Sequence, residues 1–354
     1  MMPQQTSFLQ SVDDFIDTAQ ITHKEALSVI SLFSGCGGMD LGFRGGFDFL
    51  GNHYERNPFN MVFANDIVPS ACNTYEHNFG HTAHCYDIKE LDYSLLPTAD
   101  VVIGGFPCQD FSLAGKRKGL SSERGQLYQE MKRVIEYVRP SAFVAENVDG
   151  IRKSRFSGGV SPLEIIVDEF RAIGYNVQYK ALNAADYGVP QNRIRIIIIG
   201  IRQDVDRDIK YPAPSHDHNH ISAKEAIDDL WYRLGCNSIK NHTEKDYSRA
   251  KFYEGKKMQG NLQIKAYLPA PTIRAEHHGN IEGHYRSLCD KDPANMLNWR
   301  RLSVRECARL QSFPDDFEFN CSASAAYKQI GNAVPPVMAW HIARALYQSL
   351  FGLE

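Results

Sequence analysis

The chain has 354 residues, 43% of them hydrophobic, enough for one large domain and a smaller one. Its 39 basic and 42 acidic residues leave a net charge of −3, which excludes a global basic signature for nucleic-acid binding and confines any such site to a local patch. There is no charged leader before an apolar core, no run of membrane-spanning length, and no C-x-x-C pair among eight cysteines. The expectation is a soluble, cytoplasmic protein with no membrane contact, no metal module and no disulfide scaffold.

Residues 1–27 place Phe8, Leu9, Val12, Phe15 and Ile16 at helical spacing, predicting an accessory amphipathic helix. Residues 28–33 (SVISLF) read as a strand that runs into Ser34-Gly35-Cys36-Gly37-Gly38. Backbone N–H groups of such a turn can approach a ligand closely, although a tight turn without a ligand reads equally well. The dinucleotide fingerprint is absent, because the third glycine of G-x-G-x-x-G falls at Asp40. A second strand, 61–64, ends at Asn65-Asp66, where an acid can accept hydrogen bonds from ribose hydroxyls. Asp87-Ile88 follows a third short segment, in a position to meet an adenine; either acid is also an ordinary helix cap. Three such features in βαβαβ order point to an adenosine-containing cofactor.

Residues 101–112 (VVIGGFPCQDFS) are the centre of the chain. A short apolar strand stops at two glycines, and Pro107 stiffens the turn that presents Cys108 at the carboxyl end of the sheet. A cysteine held there is either a nucleophile, if its neighbours favour the thiolate, or an inert half-buried thiol. The loop that follows, 115–133, carries six cations against two acids, Lys116 and Arg124 among the cations, with interspersed glycine and serine: a lid able to meet phosphates. A helix over 127–138 and a strand over 142–145 deliver Glu146-Asn147-Val148 to the same edge, where Glu146 is a candidate general acid. Arg152, Lys153 and Arg155 add positive charge nearby.

A helix over 163–173 and a strand over 175–182 precede the turn Gly188-Val189-Pro190. Gln191-Asn192-Arg193-Ile194-Arg195 then leads into the buried strand 196–199, with Arg193 and Arg195 on one side, able to hold a phosphate or a base. Residues 203 to about 300 are polar and weakly periodic, as expected of a smaller inserted unit. Its His216-Asp217-His218-Asn219-His220 run suits a solvated loop better than a metal site. Residues 300–310 predict a basic amphipathic helix with a Ser303–Glu306 capping box, and a final apolar helix spans 337–350.

The ordered segments SLFSGCGGMDLGF, GGFPCQDFS, AENV, QNRIR, RLSVRECARLQSFP and QIGNAVPP, spanning about 29–338, resemble the DNA (cytosine-5) methyltransferases of bacterial restriction-modification systems. The resemblance implies an α/β fold: a Rossmann-like, mostly parallel sheet with helices on both faces and a smaller inserted target recognition domain. It implies an N-terminal helix (1–27), a catalytic domain (28–202), a recognition domain and hinge (203–321) and a C-terminal segment (322–354) that returns to the catalytic domain. It further implies S-adenosylmethionine as cofactor, held by Phe33, Ser34, Gly35, Gly37, Asp66, Ile67, Asp87, Ile88, Pro107, Leu127, Asn332 and Val334, with no metal. Cys108 attacks C6 of a flipped cytosine; Glu146, Arg195 and Arg193 attend the base; Gln109, Ser112, Lys116 and Arg124 meet double-stranded DNA. A separate cognate endonuclease is the partner such a system implies. Three rivals remain: a tRNA methyltransferase, whose branch carries a Cys-Phe-Thr tripeptide this insert lacks; a silent binding module; and a nicotinamide dehydrogenase, which leaves Cys108 unexplained.

Overall fold

The computed structural model describes residues 26–107, 127–155, 159, 161–249, 251–253, 262–275, 283–287 and 299–353. Residues 1–25 of the helix expected over 1–27 and the lid before residue 127 lie outside them, and Leu27 already belongs to the first strand. The chain runs β1 (Leu27–Leu32), α1 (Gly38–Arg44), β2 (Phe47–Phe49), β3 (Asn52–Tyr54), β4 (Phe59–Asp66), α2 (Pro69–Phe79), β5 (His84–Cys85) and β6 (Val101–Gly104). It continues with α3 (Leu127–Val138), β7 (Ala142–Val148), α4 (Gly150–Lys153), α5 (Pro162–Ala172), β8 (Tyr175–Asn183), β9 (Ile194–Arg202) and α6 (Ala223–Ile227). β10 (His284–Tyr285), β11 (Arg300–Arg301), α7 (Val304–Leu310), α8 (Ala323–Asn332) and α9 (Pro336–Phe351) complete it.

Seven strands form one sheet in the order β5-β4-β1-β6-β7-β9-β8. The first five are mutually parallel, and β9 runs antiparallel to both β7 and β8. The architecture is the expected Rossmann-like α/β fold. Strand alternation explains why it folds this way. Val29, Val101, Ile103, Val144, Ile197 and Ile199 fill one face together with Phe43 of α1 and Leu346 of α9. Ile30, Leu32, Val102, Phe143, Ile196 and Ile198 fill the other with Val134 of α3 and Ile166 of α5. From β1 the chain moves outward to β4 and later returns to β6 on β1's other side. The loops after β1 and β6 therefore open a crevice at the switch point. Gly104 permits that proximity, since a Cβ there would sit 2.9 Å from the Leu32 carbonyl oxygen.

α9 returns to the first half of the chain through α1. A Cβ on Gly38 would meet the Val334 carbonyl at 2.5 Å, and one on Gly42 the Pro336 carbonyl at 2.4 Å, so the two helices touch backbone to backbone. The described part of the 203–321 region shares the α1–α9 core: Ile227, Trp231, Ile273, Tyr285 and Leu302 belong to the same apolar cluster as Val29 and Phe43.

One element departs from expectation. The basic helix begins at Val304, because Arg300 and Arg301 are drawn off into β11, paired with β10. Its Ser303–Glu306 capping box is formed. The arginines of this region turn to protein partners: Arg305 of α7 is fully buried on the carbonyls of Lys240, Pro314 and Phe317, and Arg300 of β11 lays its fork on both Glu306 oxygens at 2.7 Å. Arg309 pairs with Asp229 and Asp315. Among the described residues no helix is long and apolar enough to cross a membrane.

Candidate active site

The carboxyl ends of β6, β7 and β9's beginning meet at one edge. β7 runs AENV, and alternation sends Glu146 and Asn147 to opposite sides. Asn147 donates to the Phe106 carbonyl oxygen (3.0 Å), fixing the backbone two residues before Cys108. Its own Oδ1 accepts from the Val148 N–H (2.9 Å). Glu146 leans the other way, over Gly105: its Oε2 lies 2.9 Å from where a Cβ on that glycine would be. Any other residue at 105 would displace the carboxylate.

β9 pairs with β7 so that Val148 faces Arg195 and Glu146 faces Ile197. Arg195 is thus the diagonal cross-strand neighbour of Glu146, and its Nε donates to Glu146 Oε1 at 2.8 Å. Both side chains are nearly buried, so the bond forms away from bulk water. Burial pulls the Arg195 guanidinium below its ordinary value, and the Glu146 charge pulls it back.

Across the switch point, the turn after β1 is built on β4. Phe33 (φ 54°) and Gly35 (φ 56°) both adopt left-handed conformations. Gly35 N–H donates to Asp66 Oδ2 (2.8 Å), and Val68 N–H donates to Oδ1 (2.8 Å). Burial raises the Asp66 carboxyl, and these two N–H donors oppose the rise. Among the described residues nothing but its chain neighbours lies within 4 Å of where a Gly35 Cβ would project, and Ile67 beside Asp66 is 60% exposed although apolar. An acid with spare acceptor capacity, an open glycine turn and an uncovered aliphatic side chain suit a ribose carrying a flat base. Asp87 caps the following turn by accepting from Lys89 N–H, and Ile88 is buried. Pro107 and Leu127 are half-buried, Val334 is buried and Asn332 is exposed.

These features describe a strand-end carboxylate–guanidinium pair beside a proline-containing turn, with the Gly35–Asp66 turn across the switch point. The C-5 cytosine-specific DNA methylase family matches residues 27–348. The chain belongs to that family. The type II methyltransferase M.NgoFVII of Neisseria gonorrhoeae is 33% identical over 346 residues, 90% of this chain and 86% of that one. M.FnuDI of Fusobacterium nucleatum is 35% identical over 345 residues, 93% and 96% of the two chains. A crystal structure described as a prophage-encoded E. coli DNA modification methyltransferase matches with a TM-score of 0.66 at 25% identity, covering 92% of this chain and 99% of that one. The protein is a DNA (cytosine-5) methyltransferase.

Several sequence expectations fall differently in this methylase. Cys108, Gln109, Ser112, Lys116 and Arg124 lie outside the described residues. Arg193 is not placed to meet a phosphate or base: the residue is 1% exposed and its guanidinium donates to the carbonyls of Ile273 (3.1 Å), Gly331 (2.8 Å) and Ala333 (3.0 Å). It precedes the regular part of β9, where the chain turns inward. Arg152 and Lys153 both pair with Asp149, at 2.9 and 2.5 Å, which spends part of their charge. In the histidine run, His220 bonds Asp186 (2.8 Å) and the His216 ring covers Gly188. Among the described residues no group of three or more His, Cys, Asp or Glu could hold a metal. Asn147, Gly105 and Gln191 are the positions sequence reasoning passed over. The signal for Asn147 was period-two alternation beside a functional carboxyl; for Gln191, an amide in the same short motif as two arginines.

Proposed function

We propose that the enzyme transfers the methyl group of S-adenosylmethionine to C5 of a cytosine flipped out of double-stranded DNA, through a covalent Cys108–C6 adduct, as the modification half of a restriction-modification system. Its type II relatives support the last point, and the cognate endonuclease would act as a separate protein. The Glu146–Arg195 pair, set beside Gly105 three residues before Cys108, is the observation that carries the reading.

C5 of cytosine is a weak nucleophile. Addition of the Cys108 thiolate to C6 forms the S–C6 bond and moves the C5=C6 electrons onto C5, making an enamine. Glu146, held by Arg195, meets N3 and the C4-amino group and stabilises the charge that develops on the ring. The cofactor, when bound, supplies an electrophilic methyl group; Asp66 would receive the ribose, Ile67 and Ile88 would flank the base, and Phe33–Gly37, Pro107, Leu127, Asn332 and Val334 would line the remainder. After methylation, loss of the C5 proton returns its electron pair to C5=C6 and expels Cys108 as thiolate. The base leaves the duplex because no side chain reaches C6 within the stack. Gln109, Ser112, Lys116 and Arg124 contact the DNA, and residues 203–321 form the recognition unit that reads base edges in the major groove, with 322–354 returning to the 28–202 domain.

Transfer of tritiated methyl from S-adenosylmethionine to plasmid DNA and to tRNA, by wild type and Cys108→Ser, tests this. DNA labelling that vanishes in the variant is expected, and sequencing the product gives the target site. Labelling confined to tRNA moves the substrate to RNA. Labelling of neither by the wild type leaves a non-catalytic binding protein.

A further inference from the structure

Arg193 is a buried cation with an unusual set of partners. A buried arginine ordinarily meets a carboxylate. This one donates to three backbone carbonyls from two segments far apart in the chain: Ile273 on one side, Gly331 and Ala333 on the other. Its Nη1 and Nη2 make all three of these bonds, while its buried Nε has no hydrogen-bond partner among the described residues. A planar guanidinium spans two separate carbonyl groups; a lysine ammonium, a point donor on a flexible stem, does not.

A second bridge runs alongside. Ile273 N–H donates to Gln191 Oε1 (3.0 Å), Gln191 Nε2 donates to Gln311 Oε1 (2.6 Å), and Gln311 Nε2 donates to the Ala333 carbonyl (2.6 Å). Both routes therefore join Ile273 to Ala333. Between them the backbones touch: a Cβ on Gly331 would fall 2.5 Å from the Arg274 carbonyl carbon and 2.6 Å from Ala275 N. On one side of this joint, Asn332 and Val334 belong to the proposed cofactor crevice. On the other, Arg274 is exposed and Thr272 donates to the Asn192 carbonyl (2.6 Å), at the edge where the 203–321 unit meets β9.

We propose that Arg193 is a positioning residue that locks segment 331–334 to segment 272–275, so that cofactor binding and DNA binding are thermodynamically linked through it. A shift of either segment strains the same three hydrogen bonds, and such a linkage is reciprocal. The proposal rests on the methyltransferase reading above.

The test is a binding cycle. Titration calorimetry measures S-adenosylhomocysteine affinity, and fluorescence anisotropy measures affinity for a labelled duplex carrying the sequenced target, each with and without the other ligand. In the wild type, each ligand tightens the other about tenfold, within the usual range for coupled sites. In Arg193→Lys and Arg193→Met the single-ligand affinities stay within about threefold while the coupling ratio falls to about one. Gln311→Met, which cuts the second bridge and leaves the guanidinium, gives an intermediate ratio; it decides the matter if the Arg193 variants show no cooperative thermal transition. An undiminished ratio in Arg193→Lys, or in Gln311→Met where that variant decides, overturns the proposal. So does loss of one ligand's affinity alone, or a wild type that binds both without coupling. A wild type that binds neither ligand rejects the methyltransferase reading itself.

Discussion

Gly105 controls where the Glu146 carboxylate lies, and it does so at little cost to folding. Among the described residues other than its chain neighbours, the atoms within 4 Å of its absent Cβ are at the end of the Glu146 side chain, which can rotate away. Gly105→Ala should therefore leave the urea midpoint nearly unchanged while moving the carboxylate away from the place proposed for the pyrimidine edge. A displacement of that size costs about 10- to 100-fold in rate when it falls on a reacting geometry. The expected outcome is a large fall in kcat for methyl transfer with S-adenosylhomocysteine affinity retained; an unaltered kcat would remove Glu146's position from the mechanism. At this scale the motifs in the sequence named the residues well. They did not separate Arg195, which reaches Glu146, from Arg193, which ties two backbone segments together. The alternating Arg-Ile-Arg spacing treats the two alike, and only the path of the surrounding chain distinguishes Arg193, just before β9, from Arg195 within it.

Helix α1 makes the contrast at the scale of elements. Gly42 faces the start of α9, and a Cβ there would lie 2.4 Å from Ala339 Cβ, 2.4 Å from the Pro336 carbonyl and 2.7 Å from Trp340 N. None of these is the end of a flexible side chain, so the helices themselves must separate. Gly42→Ala should destabilise the fold by about 1–3 kcal/mol, the usual cost of overpacking, measured by urea denaturation. The helix-propensity advantage of alanine over glycine, about 1 kcal/mol, predicts the opposite sign. A stabilised variant would show that α9 does not sit against α1 as described. The sequence announced α9 but not α1, and the return of the C-terminal segment to the first half of the chain was implied by the family resemblance. The inward turn of α7's arginines was not legible, because basic spacing on a short helix looks the same whether its partners are phosphates or buried carbonyls.

For the whole molecule, the consequence is a dependence of stability on pH. Asp40 is fully buried in α1, where Ser31 Oγ (3.0 Å) and Tyr75 OH (2.9 Å) donate to it, and burial pushes its carboxyl up from 3.8 to about 6. Between those values the folded chain binds more protons than the unfolded one, so this contribution is fully present below about pH 4 and is lost as pH rises through about 6. The loss amounts to at most about 3 kcal/mol at neutral pH. His341, pushed down to about 3 by burial, acts in the opposite sense: it favours folding at neutral pH and that contribution fades as pH falls below 6.5. Urea melts of wild type and Asp40→Asn at pH 4.5 and 7 separate the two. The variant should gain on the wild type as pH rises. Parallel profiles would show that Asp40 is not the source.

What the sequence determined by itself was local and periodic. Alternating apolar residues set the strands, glycine and proline set the turns at their ends, and the order of βαβ units placed Asp66 and Glu146 at the carboxyl ends of their strands in one sheet. These follow from short-range sterics and from burial of one face, which a linear pattern records. Only the tertiary structure decided which charges meet. Whether Arg193, Arg300, Arg305 and Arg309 face solvent, a carboxylate or a backbone carbonyl depends on segments as far as 140 residues away, brought close by packing that the spacing of arginines does not encode.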